Sequence, residues 1–314
     1  MRIAVVGAGG VGGVLGGLLA RSGQDVAFVA RGRTLAALRG RGLRVSLPTG
    51  TFEVRPAAAE DPAAIGLADA VLVAVKSWQV REVAPSLRPL VGPGTVVVPL
   101  QNGVTAAEEL AAALGDRPVV GGMCWVLAWQ EEPGAVRSTG VPLRVVVGER
   151  AGGAAPRLAP LAAALREAGV DAEVSADVRA ALWEKFAFID PVGSVGAVTR
   201  APVGVVRSLP ETRALLEAAV TEVERLARAH GVALPADAVA RTLARVDALP
   251  PHGTASMQRD VLAGRRSELD EQTGAVVALA GAAGVPVPVH RFLLAALLPQ
   301  ERQARAAAAA PGRG

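Results

Sequence analysis

The sequence predicts an α/β domain with a doubly wound parallel sheet, followed by an all-helical domain. Three observations predict it: short apolar runs alternate with helical or loop segments, a glycine-rich turn follows the first run, and strand patterns stop near residue 176. Alternation of strands and helices indicates a parallel sheet, whereas sustained helical periodicity indicates packed helices. We therefore expect domains at 1–176 and 177–302, followed by a flexible, alanine-rich tail at 303–314.

The individual elements follow from these patterns. Strands are predicted where short apolar runs are bounded by turn residues, and these are Arg2–Val6, Asp25–Ala30, Ala70–Val75, Thr95–Leu100, Val119–Gly121 and Arg144–Val147. Helices of the second half are predicted where apolar residues recur at helical spacing, and these are Asp177–Phe188, Glu211–His230, Pro235–Ala248, Ser267–Ala283 and Val289–Leu298.

Composition excludes several classes of protein. The 314 residues suffice for two domains, and a chain that is 51% hydrophobic and 20% charged has enough apolar surface to fold. No stretch approaches about 20 uninterrupted apolar residues, and the N-terminus lacks a signal-peptide pattern. We therefore expect a cytoplasmic, soluble protein without a membrane partner.

The charge distribution and the few cysteines and histidines argue against nucleic-acid binding and metal binding. The formal net charge is only +4, the basic residues are spread along the chain, and aromatic residues make up 3% of it, which argues against nucleic-acid binding. The single cysteine, Cys124, excludes an internal disulfide, and the three histidines have no ligand spacing. A metal site is not expected.

Lysine is unusually rare in this chain. Of the 33 basic residues only Lys76 and Lys185 are lysines. Arginine keeps its proton, whereas a lysine ammonium can lose it, so these two positions are candidates for proton transfer. The alternative is that both are ordinary surface cations.

A glycine motif lies between the first predicted strand and the first helix. Its glycines permit a tight turn, approach of a pyrophosphate to the backbone and close helix packing, and the helix N-terminus favours phosphate. The strand–turn–helix–strand context predicts a Rossmann-type dinucleotide site rather than a plain glycine turn. The predicted cofactor-binding residues are Gly7, Ala8, Gly9, Gly10, Val11 and Gly12.

The end of the second strand indicates which dinucleotide binds. An acidic residue there would bind the ribose 2′-hydroxyl of NAD, but this chain has Arg31 after Ala30. A guanidinium can pair with a 2′-phosphate, so we expect NADPH or NADP⁺ as cofactor. The alternative is that Arg31 is a solvated surface residue.

Six segments in order along the chain together resemble the ketopantoate reductase (2-dehydropantoate 2-reductase) family. They are Gly7–Gly12, Val75–Gln79, Gln101–Gly103, Leu182–Phe186, Ser256–Asp260 and Gly264–Asp270. The resemblance implies a dinucleotide-binding N-terminal domain, a helical C-terminal domain and an active site between them. It implies NADPH-dependent reduction of a branched 2-oxo acid, namely ketopantoate to pantoate in pantothenate and coenzyme A biosynthesis.

The resemblance also assigns the chemistry to particular residues. A ketone that receives a hydride needs a proton or positive charge beside its oxygen, which a lysine can supply. Lys185 matches the family's catalytic lysine, and Glu268 matches the glutamate that binds the substrate hydroxyl and orients the lysine. The alternatives are a helix cation beside Glu184 and a helix first-turn acid after the cap Ser267.

Three further residues are candidates by position and resemblance. Asn102, the sole asparagine, is expected beside the nicotinamide, the lysine and the substrate, although a turn asparagine is the alternative. Lys76, after the third predicted strand, is expected to contact cofactor or substrate. Ser256 matches the serine that holds the substrate carboxylate, and a helix cap is the alternative.

The substrate pocket departs from the family pattern. Ile189, one helical turn after Lys185, replaces an asparagine that contacts substrate in the family, and Gly253 and Ala255 stand where polar contacts are expected. A reductase of another small 2-oxo acid is therefore an alternative, and a non-catalytic NADP(H)-binding sensor is a second one. Helices in 177–302 could also mediate a homodimer.

Overall fold

A computed structural model describes residues 1–139 and 143–309 of the chain. The chain divides into two units. Unit 1 comprises Met1–Gln101 and Thr105–Arg179, and unit 2 comprises Asn102–Val104 and the described residues from Ala180 onward. The division falls at residue 179, three residues beyond the expected boundary, and the short segment Asn102–Val104 belongs to the second unit.

The described part of unit 1 contains twelve strands in three sheets. The strands are β1 (Arg2–Val6), β2 (Asp25–Val29), β3 (Leu43–Leu47), β4 (Gly50–Val54), β5 (Ala57–Ala59), β6 (Ala68–Val73), β7 (Val91–Pro99), β8 (Gly121–Trp125), β9 (Ala128–Glu132), β10 (Ala135–Ser138), β11 (Arg144–Gly148) and β12 (Asp171–Val174). The α-helices that start among them are α1 (Gly10–Arg21), α2 (Gly32–Arg41), α3 (Val80–Val83), α4 (Ala106–Leu114) and α5 (Ala159–Glu167).

The main sheet has the strand order β5-β2-β1-β6-β7, and all its pairs are parallel. Alternate residues of a strand point to opposite faces. Ile3 and Val5 of β1 join the buried cluster that contains residues of α1, whereas Ala4 and Val6 join the cluster that contains residues of α3 and α4. Helices therefore cover both faces, and the predicted doubly wound parallel sheet is confirmed.

The strand order reverses between β1 and β6. From β1 the chain passes to β2 on one side, and β6 lies on the other side, next to β7. In open α/β sheets, ligands bind outside the carboxyl ends of the strands at such a reversal. The glycine turn after β1 and the segment Ala74–Lys76 after β6 lie at this edge.

Two smaller sheets differ from the sequence prediction. One has the order β4-β3-β10-β9, and the other has the order β12-β11-β8 with an antiparallel β11–β8 pair. The strands β4 and β9 were not predicted, because they are edge strands with mainly exposed or half-buried residues and lack an apolar run. Val119 makes a single bridge with Val97, and the strand predicted there starts at Gly121.

The described part of unit 2 is helical, as predicted. Its helices are α6 (Val178–Thr199), α7 (Val203–Ser208), α8 (Pro210–Ala229), α9 (Ala238–Asp247), α10 (Ser256–Leu262), α11 (Ala275–Ala283) and α12 (Pro288–Ala309), with a π-helical turn at Asp270–Gly274. No helix in residues 1–139 or 143–309 is long and apolar enough to cross a membrane.

Two helices of unit 2 extend beyond their predicted ends. The helix α6 continues through Pro191 to Thr199, because the residues that follow the proline are buried and their packing outweighs one lost hydrogen bond. The helix α12 continues through Pro299, and Glu301 and Ala304 on it are buried. Residues 303–309 of the expected tail are therefore helical, and residues 310–314 lie outside the described residues.

The core of unit 2 fixes the orientation of α6. Trp183 and Phe186 are buried, and their rings meet edge to face at 5.8 Å and 81°. They pack with Val223 and Leu226 of α8. This burial determines where the polar residues between them, including Lys185, project.

Candidate active site

The glycine turn after β1 has a backbone that only glycine can form. Gly7 has φ +98° in the left-handed region, and its N–H donates to the carbonyl of Val29 at 2.9 Å. A Cβ on Gly12 would lie 2.0 Å from the carbonyl oxygen of Gly7. The helix α1 therefore starts in contact with the turn, as the dinucleotide motif requires.

The same turn can hold a pyrophosphate. A Cβ on Gly9 would meet nothing within 4 Å, so a ligand can approach the backbone there. Among the described residues, no side chain caps the N-terminus of α1, and its first turn contains no acidic residue. The first amides of a helix have no partner within the helix and attract anions. These features fit the phosphates of a dinucleotide.

Arg31 lies where β2 leads into α2. It precedes the first helical residue, and its side chain is exposed. Its Nη1 lies 3.6 Å from Oε1 of Glu82, on α3. This acidic neighbour was not predicted from the sequence, because 51 residues separate the pair along the chain. A phosphate bound to this guanidinium would lie near the negative charge of Glu82.

Lys76 and Gln101 lie beyond the carboxyl ends of β6 and β7. Lys76 is exposed, and its Nζ lies 5.5 Å from the ring centre of Trp78. The Nε2 of Gln101 donates to the carbonyls of Val73 and Val75 at 2.9 and 3.0 Å. Its buried Oε1 has no hydrogen-bond partner among the described residues. Gln101 was not predicted as a site residue, and its only signal in the sequence was its place beside Asn102.

Lys185 and Asn102 are brought together in unit 2. Lys185 is 4% exposed, and its Nζ donates a hydrogen bond to Oδ1 of Asn102 at 2.9 Å. A buried ammonium requires acceptors, and the amide oxygen supplies one without adding a charge. The amide therefore orients the amine, and the interpretation of Lys185 as an ordinary surface cation is wrong.

Glu268 is also buried in unit 2. It is 5% exposed, and its Oε2 accepts a hydrogen bond from Nε2 of Gln272 at 3.3 Å. The Oγ of Ser267 accepts from the N–H of Leu269 at 3.3 Å, which retains part of the helix-cap alternative. Ser267 also donates through its N–H and its Oγ to Glu301 of α12. Gln272 therefore orients the Glu268 carboxylate, and the bonds from Ser267 to Glu301 fix the preceding residue against α12.

Glu271 is a titratable residue of unit 2 that was not predicted from the sequence. Its buried Oε2 has no hydrogen-bond partner among the described residues, and burial raises the pKa of the Glu271 carboxyl to about 7. Its backbone oxygen would lie 3.1 Å from a Cβ on Gly103, which places it beside the turn that carries Asn102. A carboxyl with this pKa can exchange a proton near neutral pH.

Ile189 lies at the edge of the core of unit 2, and Ser256 lies at the start of α10. Ile189 is half-buried and packs against the cluster that contains Trp183, one helical turn after Lys185. Ser256 is the first residue of α10 rather than its cap, because Ala255 occupies the cap position. The helix-cap alternative for Ser256 is therefore wrong.

Two family models match this chain. Residues 3–152 match ketopantoate reductase PanE/ApbA, and residues 177–301 match the ketopantoate reductase PanE/ApbA C-terminal model. The 2-dehydropantoate 2-reductase of Halobacterium salinarum is 34% identical over 295 residues, which cover 93% of this chain and 96% of that protein.

Solved structures agree with the family match. The crystal structure of a PanE/ApbA family ketopantoate reductase from Ralstonia eutropha JMP134 is 33% identical, with a TM-score of 0.88 over 97% of this chain and all of that one. D-mandelate dehydrogenase, solved with NADH and anilino(oxo)acetate, shares the fold at 20% identity and a TM-score of 0.87, over 97% of this chain and 99% of that one. The predicted family and the predicted oxidoreductase class, acting on CH–OH/C=O, are confirmed. The chain belongs to the ketopantoate reductase PanE/ApbA family.

Proposed function

We propose that the chain reduces 2-dehydropantoate (ketopantoate) to pantoate with NADPH, in pantothenate and coenzyme A biosynthesis in the cytoplasm. The observation that carries the proposal is the buried amine of Lys185, held at 2.9 Å from Oδ1 of Asn102 in a chain of this family. A sensor that only binds the dinucleotide needs the glycine turn but not this buried, oriented amine. A homodimer remains a prediction.

The residues of unit 2 supply the proton chemistry. When bound, NADPH supplies the hydride that the C2 carbon of the substrate accepts. Lys185 donates a proton from Nζ to the oxygen on C2 as negative charge develops there, and Asn102 holds Nζ in place. Glu268 accepts a hydrogen bond from the substrate hydroxyl, and Ser256 binds the substrate carboxylate.

The residues of unit 1 bind the dinucleotide. The amides at Gly9–Gly12 receive the pyrophosphate, and Lys76 contacts the cofactor near the ends of β1 and β6. Arg31 binds the 2′-phosphate, which distinguishes NADPH from NADH. Glu82 holds Arg31 when no phosphate is bound and opposes phosphate binding through its own negative charge.

Two substitutions test this cofactor assignment. Arg31→Asp should weaken NADPH binding by about 10- to 100-fold and favour NADH, because one charge-assisted pair contributes about 1.5–3 kcal/mol. Glu82→Gln should instead tighten NADPH binding by a few-fold, since an exposed ion pair contributes at most about 1 kcal/mol. Fluorescence titration with both cofactors measures the dissociation constants. Equal affinity of the wild type for NADPH and NADH would contradict the assignment.

A second candidate function is reduction of another small 2-oxo acid. Ile189 favours it, because this apolar side chain stands one helical turn after Lys185, where the family has an amide. Sites that reject analogues by large factors do so with polar groups that would otherwise be unpaired. An apolar wall at Ile189 should therefore tolerate a substrate that lacks the hydroxyl.

NADPH oxidation over a panel of 2-oxo acids distinguishes the two candidates. We expect turnover of ketopantoate, with 2-oxoisovalerate, which lacks the hydroxyl, reduced at comparable kcat/KM. Ile189→Asn should shift kcat/KM toward ketopantoate. A wild-type preference for ketopantoate of several orders of magnitude would remove the role assigned to Ile189, and absence of turnover with every acid would contradict the proposed function.

A further inference from the structure

Unit 2 contains a buried polar network that the proposed chemistry does not use. His290 is 0% exposed, with Nε2 2.8 Å from Oδ2 of Asp190 and Nδ1 2.6 Å from Oε2 of Glu222. The hydroxyl of Thr273, also 0% exposed, donates to the other Asp190 oxygen at 2.7 Å. Both oxygens of Asp190 and both nitrogens of the imidazole are therefore engaged.

Stability alone does not explain this network. Burying charged groups costs several kcal/mol per ion, and apolar replacements of such networks are often neutral or stabilising. The four side chains come from four elements: Asp190 from α6, Glu222 from α8, Thr273 from the π-helical turn and His290 from α12. The network thus fixes these elements against each other through directional bonds.

One of these elements, α6, carries Lys185, and another, the π-helical turn, begins two residues after Glu268. Asp190 lies five residues after Lys185 on α6, which is about 7.5 Å along the helix axis. Thr273 lies five residues after Glu268, and the N–H of Gln272 donates to the Glu268 carbonyl at 2.9 Å. The bond from Thr273 to Asp190 therefore ties the segment of Glu268 to the helix of Lys185.

The remaining partners lock Asp190. Glu222 accepts hydrogen bonds from the N–H groups of Val289 and His290 at 2.8 and 3.0 Å, in addition to its contact with the imidazole. These bonds fix the ring plane of His290 and hence the direction of Nε2 toward Asp190. The carboxylate of Asp190 cannot rotate without breaking a bond on either side.

We propose that Asp190, held by His290 and Thr273, is a positioning residue that sets where Lys185 lies relative to Glu268. The proposal rests on the proposed function, in which these two side chains act on one substrate. A displacement of about 1 Å at reacting groups can cost about 10²-fold in rate. Loss of one bond in the network should therefore change turnover more than cofactor binding.

Thr273→Val tests the proposal, with Thr95→Val as its matched control. Both variants remove one buried hydroxyl, and Thr95 donates to the carbonyl of Ala68 at 2.6 Å in unit 1. Thr273→Val should lower kcat about tenfold with an unchanged Kd for NADPH, as expected for a displacement below 1 Å. Thr273→Ser, which keeps the hydroxyl, should have a kcat close to that of the wild type. Thr95→Val should lower the free energy of unfolding and leave kcat unchanged.

Lysine NMR provides a readout that needs no turnover. The chain has only two lysines, so labelling with [13Cε]lysine gives two signals, which Lys76→Arg assigns. Thr273→Val should shift the Lys185 signal, whereas Thr95→Val should not. If Thr273→Val does not fold, Asp190→Asn should produce the same shift.

The outcomes separate the two claims. A wild type that reduces no 2-oxo acid contradicts the proposed function, whatever the signals do. A wild type that turns over, combined with an unchanged Lys185 signal and unchanged kcat in Thr273→Val or Asp190→Asn, overturns the positioning role. Equal losses of kcat in Thr273→Val and Thr95→Val overturn it as well.

Discussion

Lys185→Ala is expected to lower kcat with ketopantoate by about 10²- to 10⁴-fold, the usual contribution of a positioned proton donor. The amine is 4% exposed and donates a hydrogen bond to Asn102, so its loss removes a buried, oriented proton donor. The Kd for NADPH should stay nearly unchanged, because the amine acts on the developing alkoxide rather than on the bound cofactor. Steady-state kinetics and fluorescence titration measure the two quantities.

Lys185→Arg is the matched control for this variant. It keeps a positive charge, but a guanidinium does not give up its proton. We therefore expect Lys185→Arg to remain strongly impaired, which distinguishes proton donation from simple charge stabilisation. A fully active Lys185→Ala would show that proton transfer does not involve this residue.

The second large effect is a dependence of the free energy of unfolding on pH. Burial alone would lower the pKa of His290, but hydrogen bonds and charges from Asp190 and Glu222 outweigh it and raise the pKa to about 9. A histidine whose folded pKa exceeds its unfolded value of about 6.5 stabilises the protein fully below pH 6.5. That contribution, about 3 kcal/mol, should be lost as the pH rises through 9.

His290→Gln isolates this contribution, because glutamine does not titrate. Urea unfolding at pH 6, 7.5 and 9.5 should show the wild type more stable than the variant by a margin that shrinks by about 3 kcal/mol across the series. In the wild type, [15N]histidine labelling of the three histidines follows the His290 ring directly. A margin that is equal at pH 6 and pH 9.5 would contradict the charged state of the buried imidazole.

Local patterns predicted the main features of the fold. The apolar runs in β1, β2, β6 and β7 are largely buried in a parallel sheet, and such strands are visible in a sequence as continuous apolar segments. The glycine motif was predictable because its glycines answer local requirements: Gly7 has a positive φ, and a Cβ on Gly12 would clash with the Gly7 carbonyl. Lys185 was predictable because lysine is rare in this chain and because the surrounding segment resembles the family.

Features that depend on distant residues were not predictable. Asp190 and His290 are 100 residues apart, and neither has a local pattern that indicates a buried pair. The helix predicted to end at Phe188 continues as α6 to Thr199, because the residues that follow Pro191 are buried. Glu82 lies on a short helix with no motif, so its approach to Arg31 appears only in the folded chain.

Transfer of deuterium from [4,4-2H2]NADPH to ketopantoate tests the central claim most directly. Mass spectrometry of the product should show pantoate with one deuterium on C2, formed at the rate of NADPH oxidation by the wild type and much more slowly by Lys185→Ala. Pantoate without deuterium, or NADPH oxidation without pantoate, would contradict direct hydride transfer to the 2-oxo carbon.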